Sequence, residues 1–493
     1  MLIINIDKES KIPVFRQIIE EIINKIKDGT LYEGYKLPSS RSLAKVLGLN
    51  RSTVYKAYQE LWALGYTESM TGAFTTIRDK RQINGSVINP HKKDPLAIVK
   101  LNKKSEELFN SFQNIGNPFS VIAQPFIGID FSLLHPDKRL YPNDLFRKAL
   151  NKTLLKNPYE TLDYGDSQGY APLKEFISDR MRLHDINTDA SNVLITNGAQ
   201  NAIDLLCKLL INKNDRVFVE SPTYGMILQT LKFYDCSIVQ IPITEHGIDL
   251  NILQDEINKG LPAFIYTMPN FHNPTGITAT QEQREKLIEL CKRYNIPIIE
   301  DAFEEEMKYF GKVPLPIKSM NLNNIVFYIG SFSKVLFPGI RIGWITAAQY
   351  YINRLTVLKR CSDMSTTLPI QAALYEFCKE GNYELHIKRI HKIYRKRMLL
   401  AIDLMNLHFD KNIVNYIEPN GGFTIWITFK NTNYSYTQLE SLFNSYNIRL
   451  TGGHNFYINQ PKEKSFRLSI SQLNENEIEN GIKNLAKAIK EIK

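Results

Sequence analysis

From residue 127 onward, short apolar runs alternate with longer amphipathic stretches, and this alternation constrains the chain more than any other feature. The runs are NVLIT at 192–196, RVFVE at 216–220, PAFIYT at 262–267, IPIIE at 296–300 and NIVFYIG at 324–330. Each has the length and β-branched content of a buried strand, and each gap is long enough for a crossover helix. The pattern therefore predicts βαβ units around a mostly parallel sheet. Beyond Pro369 the chain reads as helix through Arg397. The remaining residues, with FTIWITF and FRLSIS, mix strands and helices as a smaller α+β unit does. A chain of 493 residues can bury a large core.

A different pattern precedes this body. Val14, Ile18, Ile22, Ile23 and Ile26 recur at helical steps after Pro13. LPSSRSLAKVLGLNRSTVYKAYQELWALGY then reads as two helices and a tight turn. Ser39 or Ser40 caps the first, Leu43, Ala44 and Leu47 face inward, and Gly48 turns the chain; Asn50 caps a second helix carrying Val54, Ala57, Tyr58 and Leu61. Between Lys36 and Glu60, the positive Lys36, Arg41, Lys45, Arg51 and Lys56 stand against Glu60 alone. Arg51, Ser52 and Thr53 open the second helix, where side chains reach base edges and backbone amides reach phosphate. The same spacing also suits a small helical subdomain with a solvated basic face. Residues 78–118 mix charge runs with Asn-Gly and Asn-Pro, without a stable period, and read as a linker.

Composition removes other classes. Charged residues at 23% and aromatics at 11%, with Gly 25 and Pro 22, belong to a folded chain and not to a disordered or low-complexity one. The five cysteines, Cys207, Cys236, Cys291, Cys361 and Cys378, contain no CxxC pair and fit a reducing compartment. Asp7, Lys8 and Glu9 interrupt any signal-like run, and no stretch approaches the roughly 18 uncharged apolar residues of a membrane span. A cytoplasmic protein without a membrane segment is expected. The net charge of +10 favours an anionic partner without identifying one. No His, Cys or carboxylate cluster has metal-ligand spacing, so no metal is expected. HIKRIHKIYRKR at 386–397 reads as a basic helix whose His386, His391, Arg395 and Lys396 form a solvated face around an apolar stripe, with DNA contact as the alternative.

The chemistry-bearing stretch is YIGSFSKVLFPGIRIGW at 328–344. An apolar strand delivers Ser331, Ser333 and Lys334 to its end, and Arg341 follows. A lysine among hydroxyls and an arginine is what a phosphorylated aldehyde needs: the amine condenses with the aldehyde, while hydroxyls and guanidinium hold the phosphate. Gly198, Ala199 and Gln200 start a helix after a strand, where backbone amides attract an anion. Tyr224 follows the strand RVFVE and can stack on a pyridine ring, Asn273 in NPTG offers an amide to a phenolic oxygen, and Asp301 ends IPIIED, where a carboxylate can pair with a pyridine nitrogen. Arg467 in SFRLSIS can hold a carboxylate bidentately. Alone, each of these is also an ordinary turn, cap or packing residue.

Residues 13–77 resemble the winged helix-turn-helix of GntR-type transcription regulators, through LPSSRSLA, LGLNRSTVYKAYQEL and a GY ahead of a two-stranded wing. The resemblance implies double-stranded DNA as a partner, with Arg41, Arg51, Ser52 and Thr53 as contacts. It departs at the wing tip, where Gly-Ser-Gly-Thr is common and Gly72, Ala73, Phe74, Thr75 stand here. Phe74 lacks glycine's freedom at positive φ, which puts the wing's own DNA contacts in question.

Over roughly 127–490, Tyr164-Gly165, Gly198, Tyr224, Asn273, Asp301, Lys334, Arg341 and Arg467 occur in the order of fold-type I, class I/II aminotransferases, which the body resembles. This implies a pyridoxal 5′-phosphate site: Lys334 as the aldimine lysine, Asp301 on the pyridine nitrogen, Asn273 on the ring hydroxyl and Tyr224 stacked on the ring. Ser331, Ser333, Arg341 and the backbone at Gly198, Ala199 and Gln200 would bind phosphate, Arg467 an amino-acid carboxylate, and Tyr164 the phosphate in a partner subunit. A tyrosine is common two residues after the aspartate, and Phe303 stands there instead.

Together the parts resemble the MocR (GabR-like) family of pyridoxal phosphate-dependent transcription regulators. The implied fold is an N-terminal all-α/winged helix-turn-helix domain (1–77) plus an α/β, fold-type I transferase body (119–493) with a smaller C-terminal α+β subdomain. The linker occupies 78–118, and the body divides into about 127–370 and 371–493. The resemblance implies a homodimer that binds repeated half-sites on DNA and senses the cofactor, or an amine or amino acid, through Lys334. A working aminotransferase with an accessory helix-turn-helix is the alternative, and Phe303 weighs against it. A DNA-binding protein with a cofactor-free body is the third reading.

Overall fold

The computed structural model describes residues 2, 4–7, 10, 12–69, 74–78, 102–115, 126–311, 314–320, 324–430, 432–459, 461 and 463–492. It forms two compact units that divide between Lys100 and Leu101.

The first unit holds α1 (Val14–Lys27), α2 (Ser40–Leu47), α3 (Arg51–Ala63), β1 (Thr67–Ser69) and β2 (Thr75–Ile77). Ser39 starts α2 by accepting the Ser42 N–H at 3.1 Å, and Gly48 ends it at φ 63°, a left-handed turn that a side chain would strain. Asn50 then accepts the Ser52 N–H at 3.2 Å and opens α3. The turn fixes the two helices against a shared core of Ile18, Ile22, Leu43, Val54, Ala57 and Leu61, all fully buried or nearly so. Each aliphatic side chain hidden in this way contributes about 1.5–3 kcal/mol. β1 and β2 pair antiparallel, Thr67 opposite Ile77 and Ser69 opposite Thr75, and the Leu37 N–H donates to the Thr75 carbonyl at 2.8 Å. That bond lashes the wing to the helices. Gly72 and Ala73 lie outside the described residues.

The second unit begins with a helix at Lys103–Ile115, inside the stretch whose sequence reads as linker. Asn102 caps it through the Lys104 N–H at 2.9 Å. Lys104 ties it to the body, paired with Asp235 at 2.6 Å and donating to the Phe233 carbonyl at 3.0 Å. The mixed lysines and glutamates of this helix conceal its period.

After β3 (Ile129–Asp130) come β4 (Val193–Thr196), β5 (Arg216–Ser221), β6 (Ser237–Thr244), β7 (Gly247–Ile248), β8 (Pro262–Thr267), β9 (Ile298–Asp301), β10 (Val326–Ser331) and β11 (Gly343–Thr346). Strands β4 to β11 build one sheet in the order β4-β11-β10-β9-β8-β5-β6-β7, parallel except at β11 and β7. Strands β5, β8 and β9 are buried almost throughout, as expected for a parallel sheet with both faces covered.

The remaining strands are β12 (Val414–Tyr416), β13 (Thr424–Phe429), β14 (Ile448–Arg449), β15 (Thr451–Gly452) and β16 (Lys464–Ser469). They supply an antiparallel sheet in the order β12-β13-β16-β15, while β14 pairs in parallel with β3. The Phe131 N–H donates to the Arg449 carbonyl at 2.9 Å, so residues 129–131 lie with the smaller layer, far from their sequence neighbours in the large sheet.

The reading of 386–397 as a solvated basic face holds for Arg395 and Lys396 and fails for His386, for half-buried His391, whose Nε2 meets the Lys308 carbonyl, and for Arg397 on the helix Asn382–His408. His386 is buried, its Nε2 2.8 Å from the Val335 carbonyl, and Arg397 is buried against Asp137 at 3.0 Å. Polar side chains go inside when each finds such a partner.

Leu61→Ala deletes side-chain volume where α1 and α3 meet. It is expected to destabilise the first unit by about 3 kcal/mol, read as faster amide hydrogen exchange along α3 in the full-length protein.

Candidate functional site

The carboxyl ends of the parallel strands gather the sequence-predicted residues at one edge of the large sheet, where open α/β sheets hold ligands. Asp301 is the last residue of β9 and Ser331 the last of β10. Lys334 lies three residues beyond β10. Gly198 precedes the helix Ala199–Leu210 that follows β4, Tyr224 precedes the helix Gly225–Lys232 that follows β5, and Asn273 lies in the turn after β8. Arg467 enters from β16 of the smaller layer.

Gly198, at φ 83°, approaches Arg341 so closely that a Cβ on it would stand 2.7 Å from the guanidinium. Arg341 Nη2 donates to the Asn197 carbonyl at 2.7 Å. Nearby, Ser331 Oγ accepts the Ser333 N–H at 3.1 Å, while the buried Ser333 Oγ has no hydrogen-bond partner. Gln200 donates its side-chain amide to Thr230 Oγ1 at 2.8 Å.

Asp301 is buried. One of its oxygens accepts the Tyr266 hydroxyl at 2.6 Å, and the other, Oδ1, has no partner. Burial raises its carboxyl to about 6, against the lowering effects of Tyr266 and Lys334. Lys334 Nζ donates to the Leu134 carbonyl. Burial depresses the Lys334 ammonium, while the Glu304 carboxylate raises it. Burial also raises Glu304, which accepts the Phe423 N–H at 3.2 Å and keeps a buried, unpartnered Oε1.

Arg467 is buried and held at several points. Nη1 donates to Asn273 Oδ1 at 2.9 Å, and Nη2 donates to the Ser132 carbonyl at 2.6 Å. Its guanidinium carbon lies 5.3 Å from the centre of the Phe456 ring. Burial lowers it to about 10. With Oδ1 of Asn273 occupied, the NH₂ of that side chain is left to donate. Burial pushes the Tyr224 hydroxyl up to about 12. Phe303, buried in the same core cluster as Tyr266, brings no hydroxyl to the site. Tyr164 is apart from these residues and 82% exposed.

Sequence reasoning missed Tyr266, Glu304 and the carbonyls of Ser132 and Leu134. It also missed Glu220, buried beneath the Asn273 turn, which accepts the Thr267 hydroxyl at 2.5 Å and the Met268 N–H at 2.9 Å and stands 3.2 Å from His272 Nε2. A carboxyl inside an apolar strand, VFVE, is the overlooked signal for it.

In the first unit Arg41, Arg51 and Ser52 are exposed and Thr53 is half-buried. Phe74 is 63% exposed, and the Lys36 ammonium lies 5.3 Å from the centre of its ring.

The residues present fit pyridoxal 5′-phosphate. Asp301 Oδ1 and Ser333 Oγ are buried polar atoms awaiting a partner, Gly198 leaves open a cradle beside a guanidinium, and Lys334 offers an amine among them. Residues 139–485 match the family "Aminotransferase class I and II", and residues 15–77 match "Bacterial regulatory proteins, gntR family". The chain is 31% identical to aromatic-amino-acid aminotransferase 1 of Thermococcus litoralis, over 72% of this chain and 86% of that one. It is 30% identical to the HTH-type transcriptional regulator NorG of Staphylococcus aureus, over 90% of this chain and 96% of that one. LysN, an α-aminoadipate aminotransferase of Thermus thermophilus crystallised with N-(5′-phosphopyridoxyl)-L-leucine, superposes with a TM-score of 0.70 at 25% identity, covering 79% of this chain and 95% of that one. The chain belongs to the aminotransferase class I and II family, with a gntR-family DNA-binding head, the organisation of MocR/GabR-like regulators.

Glu304→Gln removes the carboxylate that holds the proton on Lys334, so the lysine ammonium should lose its proton at lower pH. The cofactor-free protein, labelled with a neutral amine reagent and read at residue 334 by mass spectrometry, should show its half-maximal rate shifted to lower pH in the variant.

Proposed function

We propose that this chain is a cytoplasmic, homodimeric transcription regulator that reads operator DNA with its head and senses pyridoxal 5′-phosphate, or an amine or amino acid that reacts with it, in its body. The observation that carries the reading is the set of unpartnered buried polar atoms around Lys334, in a chain that also holds a GntR-type head. Ser331, Ser333, Arg341 and the start of the helix Ala199–Leu210 bind the phosphate, where helix amides and a guanidinium both favour an anion. Asp301, through its unpartnered oxygen, would hold the pyridine nitrogen, Tyr224 would stack on the ring, and Asn273 would donate to the ring oxygen. When bound, the group supplies an aldehyde that condenses with a primary amine, and a ring that withdraws electrons from it. Lys334, depressed by burial, presents its amine uncharged at a pH lower than an exposed lysine needs.

Arg467 receives the carboxylate of an amino-acid effector. In doing so it exchanges the Ser132 carbonyl for the ligand, and Lys334 likewise exchanges the Leu134 carbonyl. Both carbonyls belong to one segment, next to β3 and on the way along the chain to the helix Lys103–Ile115. A ligand that prefers the released segment shifts the protein toward that state. Support for two copies comes from Leu155, Tyr159, Leu162 and Tyr164, all well exposed within one short stretch, which a second copy would cover. Exposed Tyr164 would reach the phosphate bound in the partner subunit, as the aminotransferase resemblance implies. Two heads on one dimer fit repeated half-sites.

The test is fluorescence anisotropy with DNA taken from upstream of the gene. Pyridoxal 5′-phosphate should change the affinity of the wild type roughly fivefold or more, and leave Lys334→Ala unchanged. Arg51→Ala, present in both heads of the dimer, should weaken binding and reduce the slope of log affinity against log salt by about two. Sustained turnover of paired amino and keto acids, with DNA affinity indifferent to the cofactor, would establish the aminotransferase reading instead.

A further inference from the structure

Lys359 is 0% exposed, and a buried ammonium requires an anion. It finds Asp363, Nζ to Oδ1 at 2.6 Å, one helical turn on and at the last residue of the helix Gln349–Asp363. This placement does not serve the helix. A carboxylate at the C-terminal end opposes the helix dipole, and lysine ahead of aspartate is the less favourable order for an i,i+4 pair. What Asp363 does serve lies outside the helix: its other oxygen accepts the Asn197 side-chain amide at 2.5 Å.

Asn197 is the residue before Gly198, and its backbone N–H, its backbone carbonyl and its side-chain NH₂ are all held. Its backbone N–H donates to Asn201 Oδ1 at 3.1 Å, its amide to Asp363, and its carbonyl accepts Arg341 Nη2. Arg341, at φ 48°, has one arm of its planar fork fixed by that carbonyl, which sets the direction of the others. The Gly198 cradle beneath the guanidinium is so tight that a Cβ there would stand 2.7 Å from Arg341 Nη2.

We infer that Lys359 and Asp363 are positioning residues, which through Asn197 fix the Gly198–Arg341 cradle and so select a phosphorylated ligand over its unphosphorylated analogue. The inference rests on the reading that the cofactor's phosphate occupies that cradle. The pair of buried Lys359 and half-buried Asp363 anchors the amide, the amide orients the peptide, and the peptide holds the arginine. A ligand without phosphate makes no use of the arrangement and is blind to it.

The test compares dissociation constants of pyridoxal 5′-phosphate and pyridoxal, titrated by absorbance on the full-length protein. In Lys359→Met/Asp363→Leu both charges are gone and none is left unpaired. Asn197→Ala removes only the amide and keeps the carbonyl that Arg341 uses, so it serves if the double variant does not fold. In either, the phosphorylated ligand should bind about tenfold more weakly while pyridoxal is unchanged, the size expected for a charge-assisted hydrogen bond. Equal weakening of both ligands would mean a merely structural role, and unchanged affinity for both would mean no role; either overturns the inference. A wild type that does not prefer the phosphorylated ligand would instead refute the assignment of phosphate to the cradle.

Discussion

An ammonium taken out of water must find charge or lone pairs close by, and the body is arranged around that demand at Lys334. The Leu134 carbonyl accepts from Nζ, and Glu304 and Asp301 supply negative charge, while Arg467 and Arg341 oppose the lysine's own. The balance leaves an amine that gives up its proton more readily than a solvated lysine does. The loop that carries it is pinned one residue later, where His386 reaches the Val335 carbonyl from a long helix of the C-terminal region. Strand β10 delivers the lysine, β9 delivers the aspartate, and β16 brings the arginine from the other layer.

Two layers thus contribute to one site, and the same carbonyl-rich segment, Ser132 to Leu134, touches a residue from each. Arg467 from the smaller layer and Lys334 beside the large sheet both donate to it. A ligand that claims these two cations competes with backbone and not with bulk water. In the proposed regulator that competition is what would pass ligand chemistry to the segment, in a chain whose gntR-type head is a separate compact unit.

Much of this was legible in the sequence, for a physical reason. Residues that end buried strands are easy to find, because the apolar runs stop there, and Asp301, Ser331, Lys334 and Gly198 all follow such runs. The caps Ser39 and Asn50 and the turn at Gly48 were legible because local hydrogen bonding alone determines them. What stayed hidden depends on contacts distant along the chain. Tyr266 looks like a core residue until its hydroxyl meets Asp301, 35 positions away. Asp363 looks like a helix-end acid until it meets Asn197, 166 positions away. His386 and Arg397 look like a solvated basic face because their partners, Val335 and Asp137, lie in other elements. The helix Lys103–Ile115 escaped notice because its anchor, Asp235, is far ahead in the chain and its own charges blur the period.

Borohydride reduction of the protein after incubation with pyridoxal 5′-phosphate, followed by peptide mass spectrometry, bears most directly on the account. The added mass of the reduced cofactor should fall on the peptide containing Lys334 and on no other lysine in comparable yield. An unmodified Lys334, or label spread among exposed lysines, would contradict it.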